Sequence, residues 1–351
     1  MTIPGPYLLG RDRGPDALRL AIPSKGMEED TLSFLQACGL PVDRSNPRQY
    51  RAHIGSIANV EVTFQRAGDI FAKVDEGSVD LGITGYDVVA EYRHEDDRVV
   101  VVLPELGYGR CALVLAVPDS WIDVTSVHDL SEISASLRAR GRELRVATKY
   151  RNLTRQFLYD HGVGSFNLME SSGALEAAPT LGYADLIADI TSSGLTLREN
   201  RLKTIAGGTI LPSEACLIAN RRELKRSPSK LERTREILEA MEAYRRARPF
   251  LSVTANVQGG TPELVARRVI SYGDNAGLQG PTIARVYPKS PEDDTDWYAV
   301  TIIVARDRLQ EAVDVLRRAG ASDITALQLA YVFENKAWSY EALLRSLETE
   351  D

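Results

Sequence analysis

The segment DLIADITSSGLTL, residues 185–197, gathers more hydrogen-bonding chemistry than any other stretch of this chain. A buried strand delivers Asp189 at its carboxyl end, and Thr191, Ser192, Ser193, Gly194 and Thr196 follow at once. Hydroxyls and successive backbone N–H groups can surround a phosphate. Glycine lets the backbone come close, and a helix start at LTLREN adds a favourable potential. Asp189 stands where a carboxylate can accept hydrogen bonds from ribose hydroxyls, and open α/β sheets bind ligands at the carboxyl ends of their strands. The same residues also fit an ordinary Ser/Gly turn capped by Asp189, so the local pattern leaves both readings open.

The surrounding elements must position such a loop. From residue 18 onward, short apolar runs alternate with helical stretches: strands over 18–22, 60–64, 79–84 and 99–103, and helices over 28–38 and 69–76. That alternation predicts a largely parallel sheet covered on both faces. A second set begins near Cys111, with strands at CALVLAVP, LRVATKY, FNLMES and DLIADI and helices at NLTRQFLYDHG and over 174–181. EACLIAN is a further strand, and 229–246 a connecting helix. The third unit runs strand, helix, strand, strand, helix, strand. Thr261 caps a helix opening on Pro262, WYAVTIIVA alternates, and Asp307 is placed to cap a helix whose Leu309, Ala312, Val313 and Leu316 share a face. Its last strand is DITALQLAYVF, and a helix over 339–347 follows. The βαββαβ order is ferredoxin-like.

Bulk properties narrow the class. A length of 351 residues predicts two or three domains, and a net charge of −7 without a basic stretch argues against a nucleic-acid surface. No apolar run reaches membrane-spanning length. The start, MTIPGPYLLGRDRGPD, lacks the pattern of a signal peptide and reads as a loose arm over 1–16. Cys38, Cys111 and Cys216 are scattered in apolar contexts, which predicts free thiols in a reducing compartment, the cytoplasm. His53, His94, His128 and His161 share no metal-ligand spacing, so no protein-held metal is expected.

Six segments in order carry a family resemblance: VDLGITGYD, LGYGRCALVLAVP, ATKYRNLTRQFL, SSGALEAAPTLGYADLIADI, DITSSGLTL and EACLIAN. Together they resemble the ATP phosphoribosyltransferases over about residues 18–220, with Arg151 where proline is usual. The βαββαβ unit resembles what separates the family's long form from its short form. The resemblance implies an α/β fold of two periplasmic-binding-protein-like catalytic lobes and a C-terminal ferredoxin-like regulatory domain. The expected ranges are 17–108 with 209–245 for the first lobe, 109–208 for the second and 250–351 for the last. It implies that Asp189 holds the ribose hydroxyls of phosphoribosyl diphosphate and that Thr191, Ser192, Ser193, Gly194 and Thr196 hold its 5-phosphate. Lys25 and Gly26 would face the diphosphate or the ATP phosphates. Arg48, Arg66, Lys149 and Tyr150 would serve ATP, and Glu176 would cap or pair. One departure stands out: the family's lysine–glycine–arginine turn ends here in Met27.

The implied reaction joins N1 of the adenine of ATP to C1 of the ribose and releases diphosphate, the first step of histidine biosynthesis. Adenine N1 has a free lone pair, so no general base is nominated, and Mg²⁺ is expected on the substrate's diphosphate. Histidine is the expected inhibitor and a homo-hexamer the expected assembly. The competing readings are a non-catalytic two-lobed solute-binding protein and, given Met27, a silent regulatory subunit.

Overall fold

The computed structural model describes residues 16–46, 48–93, 98–170, 175–272, 280–287 and 295–348. All but the last residue of the expected arm lies outside these. The chain forms two compact bodies, residues 1–236 with 338–351 and residues 237–337.

The first body opens with β1 (Leu18–Pro23), α1 (Glu28–Ala37), β2 (Val42–Asp43), β3 (Arg51–Ile54), β4 (Val60–Gln65), α2 (Ala67–Asp75), β5 (Leu81–Gly85), α3 (Tyr86–Tyr92) and β6 (Val99–Leu103). β1 pairs in parallel with β4 and β5 and is buried over nearly its whole length. Its apolar residues, interrupted only by Arg19, reflect cover on both faces. The chain then builds a second sheet from β7 (Cys111–Pro118), α4 (Val127–Ala139), β8 (Leu144–Thr148), α5 (Arg151–Asp160), β9 (Phe166–Glu170), β10 (Leu186–Thr191), α6 (Leu195–Glu199) and β11 (Leu202–Ser213). It returns as β12 (Ala215–Asn220), antiparallel between β5 and β6, followed by α7 (Arg221–Arg226). The sheet orders are β2-β3-β4-β1-β5-β12-β6 and β11-β7-β10-β8-β9, which is the two-lobed α/β arrangement expected. The two crossings between lobes are tied together: Leu106 N–H donates to the Ala215 carbonyl at 2.9 Å, and Ala215 N–H to that of Tyr108 at 3.0 Å.

α8 (Pro228–Ala247) runs from the first body into the second. There β13 (Phe250–Gln258), α9 (Pro262–Ser271), β14 (Thr282–Val286), β15 (Trp297–Ala305), α10 (Leu309–Arg318) and β16 (Ala321–Gln328) form an antiparallel sheet in the order β14-β15-β13-β16. This is the ferredoxin-like topology. Val253, Val257, Val300 and Ile302 alternate into a core closed by Val265, Val269, Ala312 and Leu316. Thr261 caps α9 as predicted, accepting from the Leu264 N–H.

Several local expectations change. Residues 175–181 form a short 3₁₀ turn at Leu175–Ala177 instead of a helix, because Pro179 supplies no N–H and Gly182 turns the chain left-handed at φ +74°. Asp307 lies in a 3₁₀ turn and does not cap α10. The last strand ends at Gln328, short of YVF. β11 pairs with β7 through Ser213, so residues 209–213 belong to the second sheet and the first resumes only at β12. The final helix, α11 (Trp338–Glu348), packs on β6 and α7 of the first body, so 250–351 is not one unit.

A buried ion cluster fastens α8 to the first lobe. The fully buried Asp80 carboxylate accepts from Lys230 Nζ at 2.8 Å, from Arg19 Nη2 at 2.7 Å and from the Arg19 backbone N–H at 2.8 Å. Removing one partner of a buried pair leaves the other short of compensation. Lys230→Ala should therefore destabilise the first body by about 3 kcal/mol. Urea unfolding followed by far-UV circular dichroism checks this, and an unchanged midpoint would show the lysine to be dispensable.

Candidate active site

In the second lobe, β8 and β10 run parallel with Ala188 beside Thr148. The next residues, Lys149 and Asp189, therefore emerge together at the carboxyl ends. Burial pushes the Asp189 carboxyl above its ordinary value, against the pull of the Ile190 N–H and the Lys149 charge; nearby Glu176 adds to the rise. Asp189 Oδ1 accepts from that Ile190 N–H at 2.9 Å. Beyond it the chain folds onto itself: Gly194 N–H donates to Thr191 Oγ1 at 3.0 Å, and Leu195 N–H to Ser193 Oγ at 3.3 Å. Gly194 holds φ at +70°, a left-handed conformation that turns the loop into α6. Ser192, Ser193 and Thr196 are exposed at this edge, while Thr191 and Gly194 are half-buried. Sequence reasoning missed Arg198, whose Nη2 donates to the Ser193 carbonyl at 3.3 Å. Its signal was available: it lies four residues after Gly194, one helical turn on.

In the first lobe, Lys25 and Gly26 form the β1–α1 turn, with Gly26 at φ +74°. Lys25 and Arg66 line one cavity of about 460 Å³, together with Ser24, Tyr50, Gln65 and Asp69. Tyr50 is 72% exposed, an aromatic face in the same turn as Arg48. Arg48 itself is exposed and not part of this lining. Arg44 is committed elsewhere, lying 3.9 Å over the Phe64 ring and paired with Glu28 at 2.9 Å. Met27 packs its sulfur over Gly109, where a Cβ would come within 2.7 Å. The residue in the usual arginine position thus fills space beside the lobe crossing.

The lobes meet through α3 and α5. Asp87 is buried and accepts from the Tyr150 hydroxyl at 2.6 Å on Oδ2 and from the Ser213 hydroxyl at 2.7 Å on Oδ1. One turn on, buried Glu91 accepts from the Asn152 N–H at 2.9 Å and the Leu153 N–H at 3.0 Å, at the start of α5. This corrects the expectation for Tyr150. Its residue is only 8% exposed and its hydroxyl is committed to Asp87, so it joins the lobes and offers little to ATP. Burial first, then the Asp87 charge, drives its ionisation far up. Near the crossings, a cavity of about 590 Å³ is lined by Tyr86, Arg110, Cys111, Pro212 and Glu214. Burial pushes the Cys111 thiol up. Among the described residues, no three His, Cys, Asp or Glu side chains gather as metal ligands would. No helix among them is long and apolar enough to cross a membrane.

Comparison with known proteins bears on this geometry. A family model described as HisG, ATP phosphoribosyltransferase, matches residues 66–243, and one described as HisG, C-terminal domain, matches 247–331. ATP phosphoribosyltransferase 1, chloroplastic, of Arabidopsis thaliana is 40% identical over 336 residues, covering 95% of this chain and 81% of its own. ATP phosphoribosyltransferase of Nitrobacter winogradskyi is 36% identical over 336 residues, covering 95% of this chain and 99% of its own. Among solved structures, the ATP phosphoribosyl transferase (HisG:HisZ) complex from Thermotoga maritima aligns with 64% of this chain and 95% of that chain, at 25% identity and a TM-score of 0.48.

The burial of Tyr150 has a spectroscopic consequence. Its phenol should stay protonated well above the ordinary tyrosine range, near about pH 10. In an ultraviolet titration at 295 nm, Tyr150→Phe should then show the same phenolate signal as the parent protein up to about pH 10.5. A loss of signal in the variant would mean that Tyr150 ionises normally and is not held at Asp87.

Proposed function

The chain belongs to the ATP phosphoribosyltransferase family, and from that premise we propose that its first body divides the two substrates between its lobes. It is a transferase of histidine biosynthesis. Its named relatives give no support to a non-catalytic solute-binding role. In the proposed site the second lobe takes phosphoribosyl diphosphate, with Asp189 on the ribose hydroxyls and Thr191, Ser192, Ser193, Gly194 and Thr196 around the 5-phosphate. Lys149, expected from the sequence to serve ATP, follows the Thr148–Ala188 pair beside Asp189, and in this proposal it and Arg198 add positive charge here. The first lobe takes the nucleotide, with Lys25, Gly26 and Arg66 on phosphates, Arg48 at the rim and Tyr50 near the base. The observation that carries this reading is the hydroxyl-rich loop at the carboxyl end of β10, with Asp189 and Lys149 at its root.

The chemistry then asks little of proton transfer. Adenine N1 attacks C1 with its own lone pair, the C1–O bond breaks, and diphosphate leaves with the bonding electrons. The protein must hold two polyanions in line and offset the charge on the departing group. We propose that Mg²⁺ arrives on the substrate's diphosphate, where it would help neutralise that charge. The three free cysteines are consistent with a reducing compartment, proposed as the cytoplasm. For the ferredoxin-like body we propose that histidine, the pathway's end product, binds and inhibits within a homo-hexamer. The two edge strands, β14 and β16, offer backbone for pairing between subunits. Linkage then requires that saturating substrates weaken histidine binding by the factor by which histidine weakens theirs. Calorimetry with histidine, alone and beside saturating substrates, measures both. No heat at millimolar histidine would make the body purely structural.

Two variants at one position test the loop. Gly194→Val imposes a branched side chain at positive φ and should weaken phosphoribosyl diphosphate binding by at least about tenfold, or about 1.4 kcal/mol. Gly194→Asn tolerates that conformation and should lose much less. Equal affinity for both variants and the parent, by calorimetry, would remove the loop from the site.

Asp189 gives a pH test. Its raised carboxyl takes up a proton at a higher pH than an ordinary aspartate, and only the ionised form accepts two ribose hydroxyls well. Affinity for phosphoribosyl diphosphate should therefore fall as pH drops toward that raised value, beginning above the usual carboxylate range near about 4. Asp189→Asn should bind weakly at all pH values and lack this component, with the ligand's own titration common to both proteins. Parallel pH curves would deny Asp189 a ligand contact.

A further inference from the structure

We infer that Asp87 is a positioning residue for the transfer reaction, acting through Tyr150 to hold the phosphoribosyl half-site at one fixed attitude to the first lobe. This inference rests on the proposed division of substrates between the lobes.

The latch is built from both lobes. Asp87 is the second residue of α3, and Gly85 at the end of β5 makes room for it: a Cβ there would lie 2.3 Å from Asp87 Oδ1. Its two oxygens are taken, one by Tyr150 and one by Ser213, and Ser213 Oγ in turn accepts the Asp87 N–H at 2.9 Å. Asp87 is thereby anchored to two separate segments of the second lobe, the β8–α5 turn and the end of β11. Glu91 adds a second clamp on the start of α5, and Asn152 Nδ2 returns a bond to the Glu91 carbonyl at 3.1 Å. The turn is stiff from within as well, because the Tyr150 N–H donates to the buried Thr148 Oγ1 at 2.9 Å.

Tyr150 directly follows Lys149, which stands level with Asp189 across the β8–β10 pairing. The first lobe thus fixes the residue next to the phosphoribosyl half-site. Asp87 is 4% exposed and both its oxygens are engaged, so it is not available to touch a substrate. Its effect must be geometric. An in-line displacement needs both half-sites at one mutual orientation, and misplacement by an ångström costs such reactions heavily. Without the latch, each half-site should still bind its own ligand, but the bound pair should react slowly.

The test separates binding from turnover in the full-length protein. Dissociation constants for phosphoribosyl diphosphate and for ATP come from calorimetry, and the rate of joining from single-turnover quench with both bound. Asp87→Ala should slow the joining step about a hundredfold and leave both dissociation constants within about threefold. Asp87→Asn keeps an acceptor for Tyr150 and an amide for Ser213, so it should recover most of that rate. Tyr150→Phe deletes one oxygen, should be slowed as well, and carries the test should Asp87→Ala fail to fold. The inference is overturned if Asp87→Ala joins at the parent rate, or if Asn is as slow as Ala, because the charge itself would then be at work. It is equally overturned if affinity falls in step with rate, which would place Asp87 in binding. Failure of the half-site reading shows separately, as an Asp189→Asn protein that binds phosphoribosyl diphosphate like the parent.

Discussion

A buried carboxylate joined to neutral hydroxyls is the contact on which the first body depends. Asp87 draws the Tyr150 and Ser213 hydroxyls onto its two oxygens, out of water, where such hydrogen bonds strengthen. Two chain crossings alone would make a loose hinge. With Asp87 and Glu91 clamping the start of α5, the lobes share a third junction near the ends of the strands that carry the proposed ligand groups. Any closure on substrates must keep this junction or break its six hydrogen bonds between lobes.

That constraint suits a reaction whose nucleophile is ready without deprotonation. An acidic chain of net charge −7 cannot attract polyanions by bulk charge, so it must do so locally. Lys25 and Arg66 share one cavity in the first lobe, Lys149 stands beside Asp189 in the second, and the loop supplies hydroxyls and backbone. Met27 contributes packing over Gly109 in place of a charge, so the proposed nucleotide site holds fewer cations than the usual turn would give.

Much of this was legible in sequence because it is local. The strand-helix alternation, the βαββαβ order and the Asp189–Thr196 loop all follow from periodicity and from residue types at fixed spacing. What escaped depends on distant partners. Tyr150 follows a lysine in a recognisable motif and reads like a ligand contact; only the fold brings Asp87, 63 positions away, onto its hydroxyl. The apolar alternation marks no strand over 202–213, yet β11 forms there, its register shifting between Thr204 and Leu211, a stretch that holds Gly207 and Gly208. The helix expected through Pro179 followed apolar spacing alone and ignored the missing N–H. α11 was correctly expected as a helix, but its own residues say nothing of β6 and α7, against which it packs.

The central claim is that this protein works by holding and orienting charge, with no side chain removing a proton. Single-turnover rates of joining ATP to phosphoribosyl diphosphate, both saturating, between about pH 6.5 and 9 address it most directly. If no side chain removes a proton, the profile is nearly flat across that window. A rate rising about tenfold per pH unit would reveal a protein base in the transition state and contradict it.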